Sequence, residues 1–250
     1  MDLNADLGEG FGAWTVTDDA SLLKLVTSAN VACGFHAGDP SIMRSVCADA
    51  AARGVAIGAH VGYGDLAGFG RRYIEYDAQT LTDAVLYQLA ALDGIARSVG
   101  STVTYVKPHG ALYHTALEDP TQASAIVSAI RSYNPQLAVL CLLGTELSWC
   151  AESSGLRVAS EAFADRAYLP MGRLVPRGEP GAMVTDPAEV AERAVRMAVD
   201  GQVEAVDGTQ VTMAPESLCV HGDTPGAVAI ATRVRSALTD AGVRLARFTA

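Results

Sequence analysis

The 250-residue sequence predicts an α/β fold, a parallel (β/α)7–8 barrel spanning residues 1–250 as one domain. Three observations lead there. Short apolar, β-rich runs alternate with amphipathic helical stretches from end to end, the pattern of a parallel sheet with helical crossovers. Seven or eight such units follow one another without a linker or a shift of composition, which favours a closed barrel over an open, doubly wound sheet. Half of the residues are apolar, 18% are charged and 24 are glycine, which suits a compact core with many tight turns.

The predicted strands are Leu3–Leu7, Ser28–Cys33, Val55–His60, Thr102–Lys107, Leu137–Leu142, Leu156–Glu161 and Ser217–His221, with Val243–Phe248 a weaker eighth. The helices carry ordinary start and stop signals. Asp39-Pro40 supplies an N-cap followed by an N1 proline, and Gly54 ends that helix. Asp77–Val99 places Leu81, Val85, Leu89, Leu92, Ile95 and Ala96 at helical spacing, with Gly100 as the stop. Asp186-Pro187 opens a helix over Ala188–Val199, and Thr224-Pro225 opens the last one, which ends at Gly242. The stretch Arg166–Met183, rich in Pro, Gly and Arg, reads as a long loop over the working face.

Polar residues gather at one edge of this pattern. Asp6, His60, His109, Glu161 and His221 lie at or just beyond the C-terminal ends of predicted strands, and His36 follows its strand by three residues. In parallel α/β folds that edge is where side chains from different strands converge. A lone histidine there is more often a packed structural residue; four of the five at one edge point to a shared pocket. Strand parity sharpens the choice, because side chains alternate faces with period two. With Leu3, Ala5 and Leu7 packed under helices, Asn4 and Asp6 face the barrel interior. Gly58 and His60, Tyr105 and Lys107, and Cys219 and His221 follow suit.

The convergent set Asn4, Asp6, His60, Lys107, His109, Glu161 and His221 supports general acid–base hydrolysis. It also suits a divalent metal such as zinc held by Asp6, His60 and His109 on separate strands. Arg71, Arg72, Arg166, Arg173 and Arg177 fall in the face loops, where guanidinium groups bind carboxylate or phosphate. Cys33 and Cys219 read as small buried hydrophobes before nucleophiles.

Other classes fit poorly. A net charge of −10 and a pI near 4.9 oppose binding to nucleic acid or anionic membrane, though a local basic pocket still admits a small anion. The N-terminal segment lacks a basic region followed by an apolar one, no apolar run approaches membrane-spanning length, and five cysteines form no disulfide pattern. These features predict a cytoplasmic, reduced protein. Residues 62–67 fit GxGxxA but lead into Gly68-Phe69-Gly70-Arg71-Arg72 and not into an apolar helix, so dinucleotide binding is not expected. No GxxxxGK[ST] loop for ATP phosphates occurs.

The sequence resembles the LamB/YcsF family of lactam-utilisation proteins, identified with the A component of the ATP-dependent 5-oxoprolinase. The likeness runs through DLNADLGEGFG (2–12), SANVACGFHAGD (28–39), IGAHVGYGDLAGFGRR (57–72), VKPHGALY (106–113), EAFADRAY (161–168) and CVHGDTP (219–225), almost the whole chain in order. Val61 stands where the family often has proline. The resemblance implies a glycoside-hydrolase/deacetylase-like barrel. It implies ATP-dependent opening of 5-oxo-L-proline to L-glutamate with partner subunits B and C, where the ATP chemistry lies partly outside this chain. Asp6, His60, Lys107, His109, Glu161 and His221 are then the candidate catalytic residues. Asn4, Asn30, His36, Arg71, Arg72, Arg166 and Asp223 are the candidate ligands for substrate or phosphate. The rival readings are a stand-alone metal-dependent amide hydrolase or deacetylase, and a carrier that binds the lactam without turning it over.

Overall fold

Seven parallel strands close into a ring in the computed structural model, which describes residues 1–249; the final Ala250 of the expected domain lies outside the described residues. The strands are β1 (Asp2–Leu7), β2 (Ser28–Ala32), β3 (Ala56–Val61), β4 (Val103–Pro108), β5 (Ala138–Cys141), β6 (Val158–Phe163) and, after an excursion, β9 (Ser217–Val220). β9 pairs with both β1 and β6 and closes the barrel. Almost every strand residue is buried, so the strands read as apolar runs covered on both faces.

Helices α1 (Asp19–Leu22), α2 (Pro40–Arg53), α3 (Ala78–Ser98), α4 (Gly110–Ala116), α5 (Pro120–Tyr133), α6 (Glu146–Ser153), α7 (Pro187–Val195) and α8 (Ala227–Asp240) lie along the chain. Asp39, Asp77, Asp119 and Asp186 each cap a helix by accepting from backbone N–H groups of its first turn. α3 buries Leu81, Val85, Leu89, Leu92 and Ala96 against the strands, as its periodicity predicts.

The interior has two storeys. Below, Ala56, Tyr105, Ala138, Leu140 and Ala159 form an apolar plug. Gly58 faces the Tyr105 ring so closely that any side chain there would overlap it. Above, the inward positions are polar, and Tyr105 joins the storeys by donating from its hydroxyl to Asn30 Oδ1 at 2.6 Å.

Three expectations need correction. Val243–Phe248 is not an eighth strand: it runs beneath the barrel, where Ala246 N–H donates to the Met1 carbonyl and the Phe248 ring packs 4.9 Å from that of Tyr105. The last helix starts at Ala227, because Gly226 at φ +79° turns the chain after Thr224-Pro225. α7 ends at Val195 and widens into a π-turn over Arg196–Asp200. The excursion from β6 to β9 also holds an unpredicted hairpin, β7 (Gln202–Glu204) with β8 (Gln210–Thr212), whose strands are too short to leave a pattern. The Arg166–Met183 segment folds back on itself through bridges Arg166–Met183 and Tyr168–Leu174 and overhangs the polar end.

Candidate active site

Lys107 stands at the centre of the upper storey. β4 carries it inward, 2% exposed, and its ammonium lies 2.6 Å from Glu161 Oε1 on β6 and 3.2 Å from Asp6 Oδ1 on β1. It also reaches Asn4 Oδ1 at 3.3 Å and Cys219 Sγ at 3.2 Å. Asn30 on β2 donates to Asn4 and Asp6 at 2.7 and 2.8 Å. Burial alone would lower an ammonium pKa, but the Asp6 and Glu161 carboxylates hold that of Lys107 well above its ordinary value. Burial would likewise raise Asp6, but Lys107 and His60 keep it well below the usual carboxylate range. Glu161 goes the other way, raised by burial despite Lys107, and Tyr113 donates to its second oxygen at 3.1 Å. Burial pushes the Cys219 thiol well up, which leaves it a packed group and a poor nucleophile.

His221 follows β9. Its Nδ1 meets Asp165 at 2.8 and 3.0 Å, and its backbone N–H donates to the same carboxylate at 3.0 Å. Its ring stacks on Phe163 at 5.5 Å. With Nδ1 fixed by Asp165, Nε2 is left for chemistry, an acid–base imidazole held in one orientation.

The cleft above these groups is lined by Asp6, His60, Arg71, Lys107, His109, Tyr113, His114, Phe163, Arg166, Leu174, Arg177 and His221. Its empty volume is about 370 Å³ with the open mouth included. Arg71 donates to Asp223 at 2.5 Å, and Arg177 lies 3.9 Å from the same carboxylate. Arg166 is buried and donates to the Ala182 and Val175 carbonyls, so it pins the overhanging loop. Arg72 turns away to Asp65 and is not part of the cleft lining, and Asn4, Asn30 and His36 lie buried behind it. Asp165 and Glu9 were not singled out from the sequence; both sit in loops past strand ends, where strand parity no longer applies.

The metal set expected from sequence meets an obstacle at Asp6, whose Oδ1 already faces the Lys107 ammonium and the Asn30 amide. The neighbouring group of Asp6, Cys219 and His221 has the same cation beside it, 3.2 Å from both Asp6 and Cys219. A dication there would face an ammonium in a medium of low dielectric.

A model of the LamB/YcsF family matches residues 1–250. The chain belongs to the LamB/YcsF family. Family relatives include a Nocardia farcinica protein named as the A component of 5-oxoprolinase, 57% identical over 99% of both chains. A Streptomyces coelicolor protein of the same name is 58% identical, again over 99% of both. The crystal structure of a lactam utilization protein from Thermus thermophilus superposes with a TM-score of 0.95 at 45% identity, covering 99% of each chain. The LamB/YcsF chain thus shares its whole length with these relatives. None of its helices, among the described residues, is long and apolar enough to cross a membrane.

Proposed function

We propose that this chain is the A component of a 5-oxoprolinase, a hydrolase that opens the lactam of 5-oxo-L-proline to give L-glutamate. The observation that carries this reading is the pairing, in one small cleft, of a cationic rim with an oriented acid–base histidine. Arg71 and Arg177 outnumber the single Asp223 they share at the rim, in a chain whose net charge is −10. A small carboxylate neutralises that local surplus and is a natural partner for guanidinium groups. Full-length likeness to proteins named as this component of 5-oxoprolinase supports the same substrate.

The chemistry follows from the stability of a five-membered lactam. Amide resonance protects its carbonyl carbon from water. ATP, as co-substrate, transfers its γ-phosphoryl group to the carbonyl oxygen and makes that carbon electrophilic. His221 Nε2 takes a proton from the attacking water and returns it to the ring nitrogen as the C–N bond breaks, and a second water hydrolyses the resulting γ-acyl phosphate to L-glutamate and inorganic phosphate. Lys107, 2.6 Å from Glu161 and 3.2 Å from Asp6, offers fixed positive charge beneath the oxyanion. The nucleotide is handled with partner subunits B and C, and the assembly works in the cytoplasm. The subunit designation of the relatives and the acidic, disulfide-free chain support these last two points.

The test is glutamate release from 5-oxo-L-proline by the chain alone and with subunits B and C, each with and without ATP. Turnover that needs both partners and ATP is expected. Turnover by the chain alone without ATP would replace this reading with a stand-alone amide hydrolase.

A further inference from the structure

A second depression lies beside the active cleft, where the overhang meets the hairpin of β7 and β8. Leu143, Met171, Arg173, Val211 and Met213 line it, and its floor reaches Glu161. Its empty volume is about 900 Å³ with the open mouth included, more than twice the 370 Å³ of the cleft. We infer that this groove docks an apolar segment of a partner subunit, with an acidic side chain of that segment set against Arg173. The inference rests on the reading of the chain as one component of a 5-oxoprolinase.

Exposure at the rim is the first observation. Met171 is 87% exposed and Leu143 50%. Val206, whose N–H donates at 2.9 Å to the carbonyl of the groove residue Tyr168, is 60% exposed. Single apolar side chains on a surface are ordinary, but several gathered around one depression mark a face that another protein covers. The chain holds them firmly. Met171 sits at the tip of a tight turn, closed by Leu169 N–H to the Arg173 carbonyl at 2.7 Å and Gly172 N–H to the Leu169 carbonyl at 2.9 Å. Gly172, at φ +76°, packs on β8 so closely that a Cβ would lie 3.3 Å from Val211. A turn preset in this way loses little conformational entropy on binding. The flexible thioethers of Met171 and Met213 adapt to the contour of an apolar partner.

The polar groups of the groove point to the kind of occupant. Ser160 Oγ donates to the Ala214 carbonyl at 2.7 Å, and the Tyr168 hydroxyl accepts from Phe163 N–H at 2.7 Å. The Glu161 carboxylate is held by Lys107 and Tyr113. With these groups engaged inside the chain, the groove offers little to a polar small molecule. Apolar walls and one guanidinium remain. Arg173 donates to the Gly144 carbonyl at 3.1 Å, and no carboxylate among the described residues pairs with it. At an apolar rim, in a chain of net charge −10, that cation is complementary to an acidic group on the partner. The subunit designation of the relatives supplies the class of partner.

Position gives the contact its use. Arg173 lines the groove and its neighbour Leu174 lines the cleft, so the two open side by side along one loop. Glu161, at the groove floor, lies 2.6 Å from the Lys107 ammonium that faces the cleft. A partner seated here stands next to the mouth through which an activated lactam has to arrive.

The test is the affinity of the purified chain for purified subunits B and C, by calorimetry and sedimentation, with coupled glutamate release measured against partner concentration. Met171→Asp and Leu143→Asp should raise the Kd for the partners about 10- to 100-fold, with the maximal rate retained at saturating partner. Arg173→Met should weaken binding and flatten its dependence on salt. Tyr87→Ser, at a site 64% exposed on α3, should bind as wild type does. Circular dichroism melts establish that each variant is folded. Wild-type affinity in folded Met171→Asp and Leu143→Asp would overturn the docking site and leave the substrate reading standing. Self-association of the wild-type chain that is lost in the same two variants would also overturn it, because a second copy would then be the occupant. Absence of any complex between the wild-type chain and subunits B and C would overturn it too, and glutamate release by the chain alone would then remove the subunit reading itself.

Discussion

Replacing Lys107 by methionine removes one charge and exposes how the upper storey is balanced. Methionine keeps much of the stem but leaves Asp6 and Glu161 buried, with no counter-ion where an ammonium lay 3.2 and 2.6 Å away. Gross attraction at those separations is about 5 and 6 kcal/mol at an effective dielectric near 20. Desolvation offsets much of it, and breaking a buried pair by removing one partner costs about 3–5 kcal/mol. Two pairs are broken together, so a loss near 5 kcal/mol is expected, or roughly 10–20 °C in Tm for a chain of this size. The orphaned carboxylates would have folded pKa values raised above those of the unfolded chain. Their contribution is then fully present below about pH 4 and lost as pH rises. Urea melts followed by circular dichroism should therefore show a smaller deficit near pH 5 than near pH 7. Adding Glu161→Gln to the same chain should recover part of it. A Lys107→Met protein within about 1 kcal/mol of wild type near pH 7 would refute the ion-pair account of the hub.

Three further outcomes follow from the same geometry. His221→Asn should still fold, about 1–3 kcal/mol less stable because buried Asp165 loses its partner, and lower kcat of coupled turnover by about 10²- to 10⁴-fold, with KM little changed. Arg71→Met should raise KM for 5-oxo-L-proline by about 10- to 100-fold, the equivalent of one lost charge-assisted hydrogen bond, with a smaller effect on kcat. For Asp165, burial would raise the pKa but the His221 contact holds it below the usual range. A depressed carboxylate stabilises the fold above the unfolded value near 4 and loses that contribution as pH falls through the folded value. Asp165→Asn should thus be about 1–3 kcal/mol less stable near pH 7, and the gap should close in acid melts below about pH 4.

Period-two parity made the inward side chains of the barrel legible: Asn4, Asp6, His60, Lys107 and Cys219 meet in the upper storey because each lies an even number of residues from another inward position. The same rule misled at Val243–Phe248, whose alternation is that of a strand but whose segment crosses beneath the ring. Alternation there marks Val243 and Leu245 packed against the main core with Arg244 and Ala246 exposed, and backbone bonds tie the segment to Met1 without joining the ladder. Glu9 and Asp165 escaped because they belong to loops, where position depends on turns such as Gly8 at φ +70° and not on periodicity. Arg71 and Arg72 are sequence neighbours with opposite fates: one reaches Asp223 at the cleft, the other Asp65 outside it, and nothing in the sequence orders the two.

The seam at β9 bears on how the chain acquires its shape. Ser217 bonds to Asn4 across 213 residues, and Ser217–Val220 is both the last strand made and the wedge between the first and the sixth. A ribosome has therefore released most of the polypeptide before the ring has any means of shutting. Closing the ring at β9 seats Cys219 against the Lys107 ammonium and excludes water from beside the charged hub. Dehydration of the hub and ring closure become one event. Contacts so distant in sequence form slowly, so folding should end in a late, cooperative step that expels water from the charged centre.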